Sequence, residues 1–269
     1  MVRALRRISR SGKIGAASLA LATAIYCCAA PFGAARAAPA DSGCILDNCA
    51  DKRPLPGDSS AGPPALPHGA TPMGAPGSSA PGDFDFYVLS LSWSASFCKT
   101  PAAARARGQC EPGANLGFVV HGLWLQYEHG FPSDCAGAPS PSRIALQAAA
   151  GLYPDEGLAR YEWRKHGVCS GKSPTDYFND VRQAREAIVI PQPFQDAKTD
   201  QTWTPMDIQR AFIAANRRLR PGMLGVGCSR GVLQEVRICF SKDLRDFHDC
   251  PEVSRRGCPI GQISVPPAL

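Results

Sequence analysis

The chain has no close C-x-x-C pair. Its twelve cysteines are scattered singly apart from the adjacent Cys27 and Cys28, and His166-x-x-Cys169 is a lone fragment. That spacing argues against a structural zinc site. The longest apolar run, Ile14 to Ala30, is short and weakly apolar for a permanent membrane span. A basic surplus is also missing where it would matter. The formal charge is +6, yet residues 1–37 hold five Arg, one Lys and no acid, so the remainder is neutral. A global positive field therefore gives no support to nucleic-acid binding, and affinity for a polyanion must come from local placement of Lys and Arg. No internal repeat is visible.

What is present begins with an export signature. Arg3, Arg6, Arg7, Arg10 and Lys13 precede the apolar run, and the small residues Ala34-Ala35-Arg36-Ala37-Ala38 follow it. This pattern predicts a signal peptide over 1–37, cleaved after Ala37. Tyr26 is too bulky for a lipoprotein site at Cys27 or Cys28. The ten other cysteines run from Cys44 to Cys258, an even number that suits a disulfide framework in an oxidising compartment. A secreted or periplasmic destination follows. Residues 38–82 are dominated by Pro, Gly, Ser and Ala, a composition that cannot bury enough surface to fold. They are expected to form a disordered tether, in which Cys44 and Cys49 could close a small loop and His68 has no chemistry. Residues 83–269 are long enough for one domain with a real core.

Within that domain, Phe84 to Trp93 and Leu116 to Val120 alternate like strands, the second running into His121. Gly151 to Asp155 breaks the chain before a helix expected over Leu158 to His166, with Gly167 placed to end it. Ser173-Pro174 and Thr204-Pro205 each pair a capping residue with proline at the first helical position. Tyr177, Phe178, Val181 and Ala184, and then Ile208, Phe212 and Ile213, give these two helices buried stripes. Leu233 to Phe240 alternates as a half-buried strand, with Val236, Ile238 and Phe240 inward. The fold class is α+β.

Two short segments carry the chemistry. Phe118 to Trp124 contains His121 and an indole, and Tyr161 to Cys169 contains Glu162, Lys165 and His166. On a helix, Glu162 lies three residues before Lys165 and four before His166, which puts all three on one face. Two imidazoles, an ammonium and a carboxylate suit RNA cleavage without a metal. One imidazole takes the proton of a ribose 2'-hydroxyl and the other protonates the departing 5'-oxygen. An ammonium then stabilises the charge that accumulates on the phosphorane. The other histidines, His129 and His248, read as ordinary surface residues.

These residues also carry a resemblance. Tyr87 to Trp93 with Phe97-Cys98 resembles the opening strand of bacterial members of the ribonuclease T2 family, and Phe118 to Tyr127 resembles the family's first active-site motif, usually written with HGLWP. Tyr161 to Cys169 resembles the second, H-E-W-x-K-H-G-T-C. Cys228, Glu235 to Cys239, Cys250-Pro251 and Arg256 to Cys258 resemble its C-terminal cysteine pattern. The resemblance implies a central antiparallel sheet with flanking helices, no metal or other cofactor, and a reaction through a 2',3'-cyclic phosphate to 3'-phosphate ends. It makes His121 and His166 the acid–base pair, with His166 as base in the first step, and gives Glu162 and Lys165 to the phosphorane. Trp124 is expected to stack on a base, with Gln126 or Tyr127 nearby. The implied disulfides are Cys135 with Cys169, Cys239 with Cys250 and Cys228 with Cys258; Cys98 with Cys110 is suggested by proximity. The partner is single-stranded RNA, with no DNA and no membrane, acted on by a monomer.

Two positions depart from the pattern. Leu125 stands where many members have proline, and Tyr161 where many have a third histidine that helps hold phosphate. A phenol donates one hydrogen bond but brings no positive charge at working pH. Two other classes compete: a silent relative that binds RNA or a protein partner, and a zinc hydrolase using His121, His166 and Cys169.

Overall fold

The computed structural model describes residues 79–268 apart from 107, 138, 139 and 260. The expected signal peptide, nearly all of the tether and the Cys44 and Cys49 pair lie outside the described residues. Residues 79–82, expected as the tail of the tether, lie against the domain: the Ser79 amide donates to the Ser133 carbonyl at 3.1 Å and that of Gly82 to the Cys169 carbonyl at 2.8 Å.

Among the described residues six strands and six α-helices follow one another along the chain, as β1 (Phe86–Trp93), α1 (Ser94–Phe97), β2 (Phe118–Gln126), α2 (Arg143–Ala148), α3 (Glu156–Lys165), α4 (Pro174–Glu186), β3 (Gln201–Trp203), α5 (Pro205–Ala215), β4 (Leu224–Ser229), β5 (Val232–Ser241), α6 (Pro251–Arg255) and β6 (Ile263–Val265). The strands form one sheet in the order β2-β1-β5-β6-β3, with β4 also paired to β5. Every pairing is antiparallel except a single parallel one, Val232 with Ser264. The α+β class with a central antiparallel sheet therefore holds, as do all four expected disulfides, Cys98–Cys110, Cys135–Cys169, Cys228–Cys258 and Cys239–Cys250.

Register sorts the strand residues onto two faces. Tyr87, Leu89 and Leu91 of β1 pair with Leu125, Leu123 and Val120 on one side and with Phe240, Ile238 and Val236 on the other. That apolar layer is covered by Tyr177, Phe178 and Val181 of α4 and Ile208 and Phe212 of α5, all buried. The caps match the sequence reading: Ser173 and Thr204 accept from the amides of Asp176 and Asp207, each followed by proline. Ile213 is only partly buried, so the α5 stripe is narrower than expected.

Three elements differ from expectation. β2 continues through the first motif to Gln126, because Leu123 and Leu125 keep the alternation and enter the core. β5 is buried on both faces, since Val236, Ile238 and Phe240 pack in the helix-covered core while Glu235 and Cys239 are enclosed on the other side. Helix α3 begins earlier, capped by Asp155 accepting from the Leu158 amide at 2.9 Å, and stops at Lys165.

Candidate active site

The face of the sheet away from the helical core is floored by small residues. Ser90 of β1 pairs with Gly122 on one side and Arg237 on the other, and Arg237 pairs in turn with Gly225. In the next row Ser92 pairs with Glu235, and Glu235 with Gly227. These small side chains leave a shallow floor in which larger polar groups can lie.

His121 enters this space through a β-bulge. Ser90 pairs with Gly122 and Leu91 with Val120, so His121 is the extra residue between them. A bulge of this kind re-aims a side chain that strict alternation would have sent elsewhere. The imidazole is largely enclosed, with 12% of its side chain exposed.

Helix α3 packs beside β2 and delivers the second motif. Glu162 and Trp163 are both buried, Trp163 in the core and Glu162 towards β2. Glu162 accepts a hydrogen bond from the Trp124 indole at 3.0 Å and lies 3.8 Å from His121 Nε2. A methyl group on Gly122 would overlap the Glu162 carboxylate and come within 2.5 Å of Trp124 Nε1. Glycine here is a packing requirement of the carboxylate.

His166 has left the helical conformation, at φ −124° and ψ −48°, although its amide still donates to the Glu162 carbonyl at 2.9 Å. The chain then makes a short 3-10 turn, Gly167–Ser170, and it is Gly171, at φ 71°, that takes the left-handed position. Gly167 is required for a different reason, as a Cβ there would strike the Trp163 ring. The expected common face of Glu162, Lys165 and His166 is thus only partly realised. Glu162 is buried and His166 half-buried, whereas Lys165 is exposed at the end of the helix, one turn nearer solvent.

Trp124 is the spacer of the cluster. Its ring lies 5.2 Å from that of His121, edge-on, and 5.6 Å from that of His166. The Arg237 guanidinium sits 5.2 Å over the same indole. Gln126 follows at the end of β2, its amide donating to the Leu125 carbonyl at 2.9 Å, and Tyr161 is half-buried on α3. Tyr127 donates to Asp83 at 3.4 Å.

Sequence reasoning missed Glu235 and Arg237 as members of the site. Glu235 is fully buried, accepts from the Ser90 hydroxyl at 2.7 Å, pairs with Arg237, and faces His121 Nδ1 at 3.9 Å. Burial pushes its pKa up, but Arg237, His121 and Ser90 outweigh that and hold the carboxyl below the ordinary glutamate value. The available signal was a glutamate and an arginine at i and i+2 on a strand whose alternate residues are apolar, which places both on the face away from the core.

His129 and His248 are bound up elsewhere. His129 pairs with Glu252 at 3.1 Å, and His248 pairs with Glu128 at 3.0 Å while stacking on Phe86. The zinc set of His121, His166 and Cys169 is overturned, because the Cys169 sulfur is bonded to Cys135 and is no thiolate ligand. That same disulfide ties the loop after β2 to the turn after His166. Among the described residues no helix is long and apolar enough to cross a membrane.

Comparison with known proteins decides the family. A profile of the Ribonuclease T2 family matches residues 84–250. The chain belongs to the ribonuclease T2 family. A ribonuclease of Aeromonas hydrophila is 38% identical over 184 residues, covering 66% of this chain and 82% of its own. Ribonuclease DdI of Dictyostelium discoideum is 28% identical, over 70% and 87% of the two chains. Among solved structures, trichomaglin, described as an S-like ribonuclease, superposes with a TM-score of 0.55 at 23% identity over 70% of this chain and all of its own, a likeness of fold. The stretch matched by the family contains every residue of this site, and the chain is an RNA-cleaving enzyme.

Proposed function

We propose that this enzyme is an endoribonuclease that cuts single-stranded RNA by transesterification without a metal, through a 2',3'-cyclic phosphate to 3'-phosphate ends. The observation that carries the reading is the grouping of His121 and His166 around one indole that is hydrogen-bonded to a buried carboxylate. His166 removes the proton from the 2'-hydroxyl, the 2'-oxygen bonds to phosphorus, and the bond from phosphorus to the 5'-oxygen breaks as His121 protonates that oxygen. In the second step water attacks the cyclic ester and the two imidazoles exchange roles. Lys165, at the solvent end of α3, faces the developing phosphorane charge, and Glu162 orients the imidazole of His121. DNA is no substrate, because it lacks the nucleophile.

Base contacts fall to Trp124, Tyr161 and Gln126. Trp124 is held at its Nε1 edge by Glu162 with Arg237 over its ring, and the half-exposed part of the indole is the surface on which a base stacks. The leader 1–37 supports export to the periplasm or medium, with the Pro/Gly/Ser-rich sequence before Ser79 as a tether and the catalytic domain running from Ser79 onward, acting as a monomer.

The test is incubation of the purified mature protein with single-stranded RNA and matched DNA in excess EDTA at mildly acid pH, beside His166→Ala. RNA-only cleavage giving cyclic or 3'-phosphate ends, reduced at least ~1000-fold in the variant, is expected. RNA left intact in EDTA and cut once zinc is restored would overturn the metal-free reading. Intact RNA under both conditions would move a binding role to the front.

A further inference from the structure

His121 lies between two buried carboxylates on two different elements. Glu162 of α3 lies 3.8 Å from Nε2, and Glu235 of β5 lies 3.9 Å from Nδ1. Both carboxylates are fully buried. A buried carboxylate costs free energy unless it is compensated, and Glu235 is compensated in detail. Ser90 donates to one oxygen at 2.7 Å and Arg237 pairs with the other. Gly227 makes room for it, since a Cβ there would come within 2.9 Å of the Glu235 side chain. Three strands thus supply a cradle for one carboxylate that the two-imidazole reaction does not itself require.

We propose that Glu235 is a positioning residue for His121, its carboxylate fixing the Nδ1 side of the ring so that Nε2 is presented to the Glu162 side, where the leaving oxygen is protonated. The proposal rests on the ribonuclease reading for the direction of proton transfer, but not for the pairing itself. It also explains the bulge at His121: the inserted residue turns the imidazole into line with Glu235, two strands away across β1.

The charged groups facing His121 are Glu162 from α3 and Glu235 from β5. Arg237 lies behind Glu235, and His166 lies across Trp124. Ser90 of β1 is uncharged. Two carboxylates against one guanidinium favour the imidazolium, the form a general acid needs. Glu235→Gln removes one carboxylate and leaves the Arg237 charge uncompensated, and both effects lower the His121 pKa.

The experiment is an NMR titration of His121 in isotope-labelled wild type and Glu235→Gln, together with the pH profile of kcat/KM on a dinucleotide. The expected result is a His121 pKa lower by about one unit or more in the variant. The basic limb of the profile moves down by the same amount while the acid limb stays, and Glu235→Asp restores most of the shift. A variant that loses activity with the His121 titration and the basic limb unmoved would overturn the proposal. Should Glu235→Gln fail to fold, Ser90→Ala removes only the hydrogen bond to Glu235. It leaves the Glu235 charge facing Nδ1 with one donor fewer to share it, so the His121 pKa must rise, opposite to Glu235→Gln, and no movement there also overturns the proposal. If the wild type cleaves no RNA, the ribonuclease reading fails while the titration still decides the pairing.

Discussion

Along β1, Tyr87, Leu89 and Leu91 meet Leu123, Leu125, Val236 and Ile238 beneath the helices, whereas Ser90 and Ser92 meet Gly122, Arg237 and Glu235 on the opposite face. The first face is stabilised by area removed from water, which tolerates exchange of one apolar residue for another of like volume. The second holds small residues so that two carboxylates, an indole, a guanidinium and two imidazoles can lie within contact of each other. Its stability is a set of compensations, each of which fails if one member is removed. One strand serves both because its side chains alternate. Damage to the two faces should therefore separate: loss of fold without loss of chemistry on one, and loss of chemistry out of proportion to loss of fold on the other.

The sharpest break of that comparison is Gly122→Ala. The new methyl group overlaps the Glu162 carboxylate and crowds the Trp124 indole. Because the carboxylate must move, His121 and Trp124 lose their alignment. A displacement near 1 Å costs roughly 100-fold in rate, and overpacking costs about 1–3 kcal/mol. Steady-state kinetics beside thermal unfolding would check it; activity within twofold of wild type would mean that the carboxylate has another place to go.

The opposite break is Phe212→Ala in α5. Phe212 is fully buried, with its ring 5.6 Å from Phe118 and 6.1 Å from Phe194. Truncation should cost about 3–5 kcal/mol. Measured well below the lowered melting temperature, kcat should stay within about threefold of wild type, since a positioned acid–base pair is worth far more than that. A kcat that falls in step with stability would erase the distinction between the faces.

The core face was legible in the sequence because it obeys periodicity. Tyr177, Phe178, Val181 and Ala184 announce a helix face, and Val236, Ile238 and Phe240 a strand face, and all are buried. On the site face only motif context spoke, and it spoke for His121, Glu162, Lys165 and His166. The bulge at His121 left no trace in composition, because one inserted residue shifts a pattern that its neighbours on both sides still satisfy. Glu235 and Arg237 were hidden for a related reason. Alternation predicts where a residue points, not whether a second layer covers it, so a buried carboxylate on an inner strand looks like a solvated one. The end of α3 was misplaced by a residue or so, since Gly167 is set by its packing under Trp163 rather than by a left-handed turn.

The subtlest change lies at Tyr161, half-buried one residue before Glu162. Many family members carry histidine at the corresponding place, and the phenol cannot supply that positive charge. Tyr161→His should therefore add an attraction for phosphate that exists only while the new imidazole is protonated. KM for RNA should fall several-fold at pH 5, and the gain should vanish by pH 8, with kcat changed little if the added interaction is made equally in ground and transition states. The sign follows from the charge: the cation is present below the histidine pKa and lost above it. The measurement is KM and kcat across that range at fixed ionic strength, since added salt alone would weaken phosphate binding and mimic the loss. An unchanged KM at pH 5 would mean that phosphate is held elsewhere, with Lys165 at the exposed end of α3 as the next cation to remove.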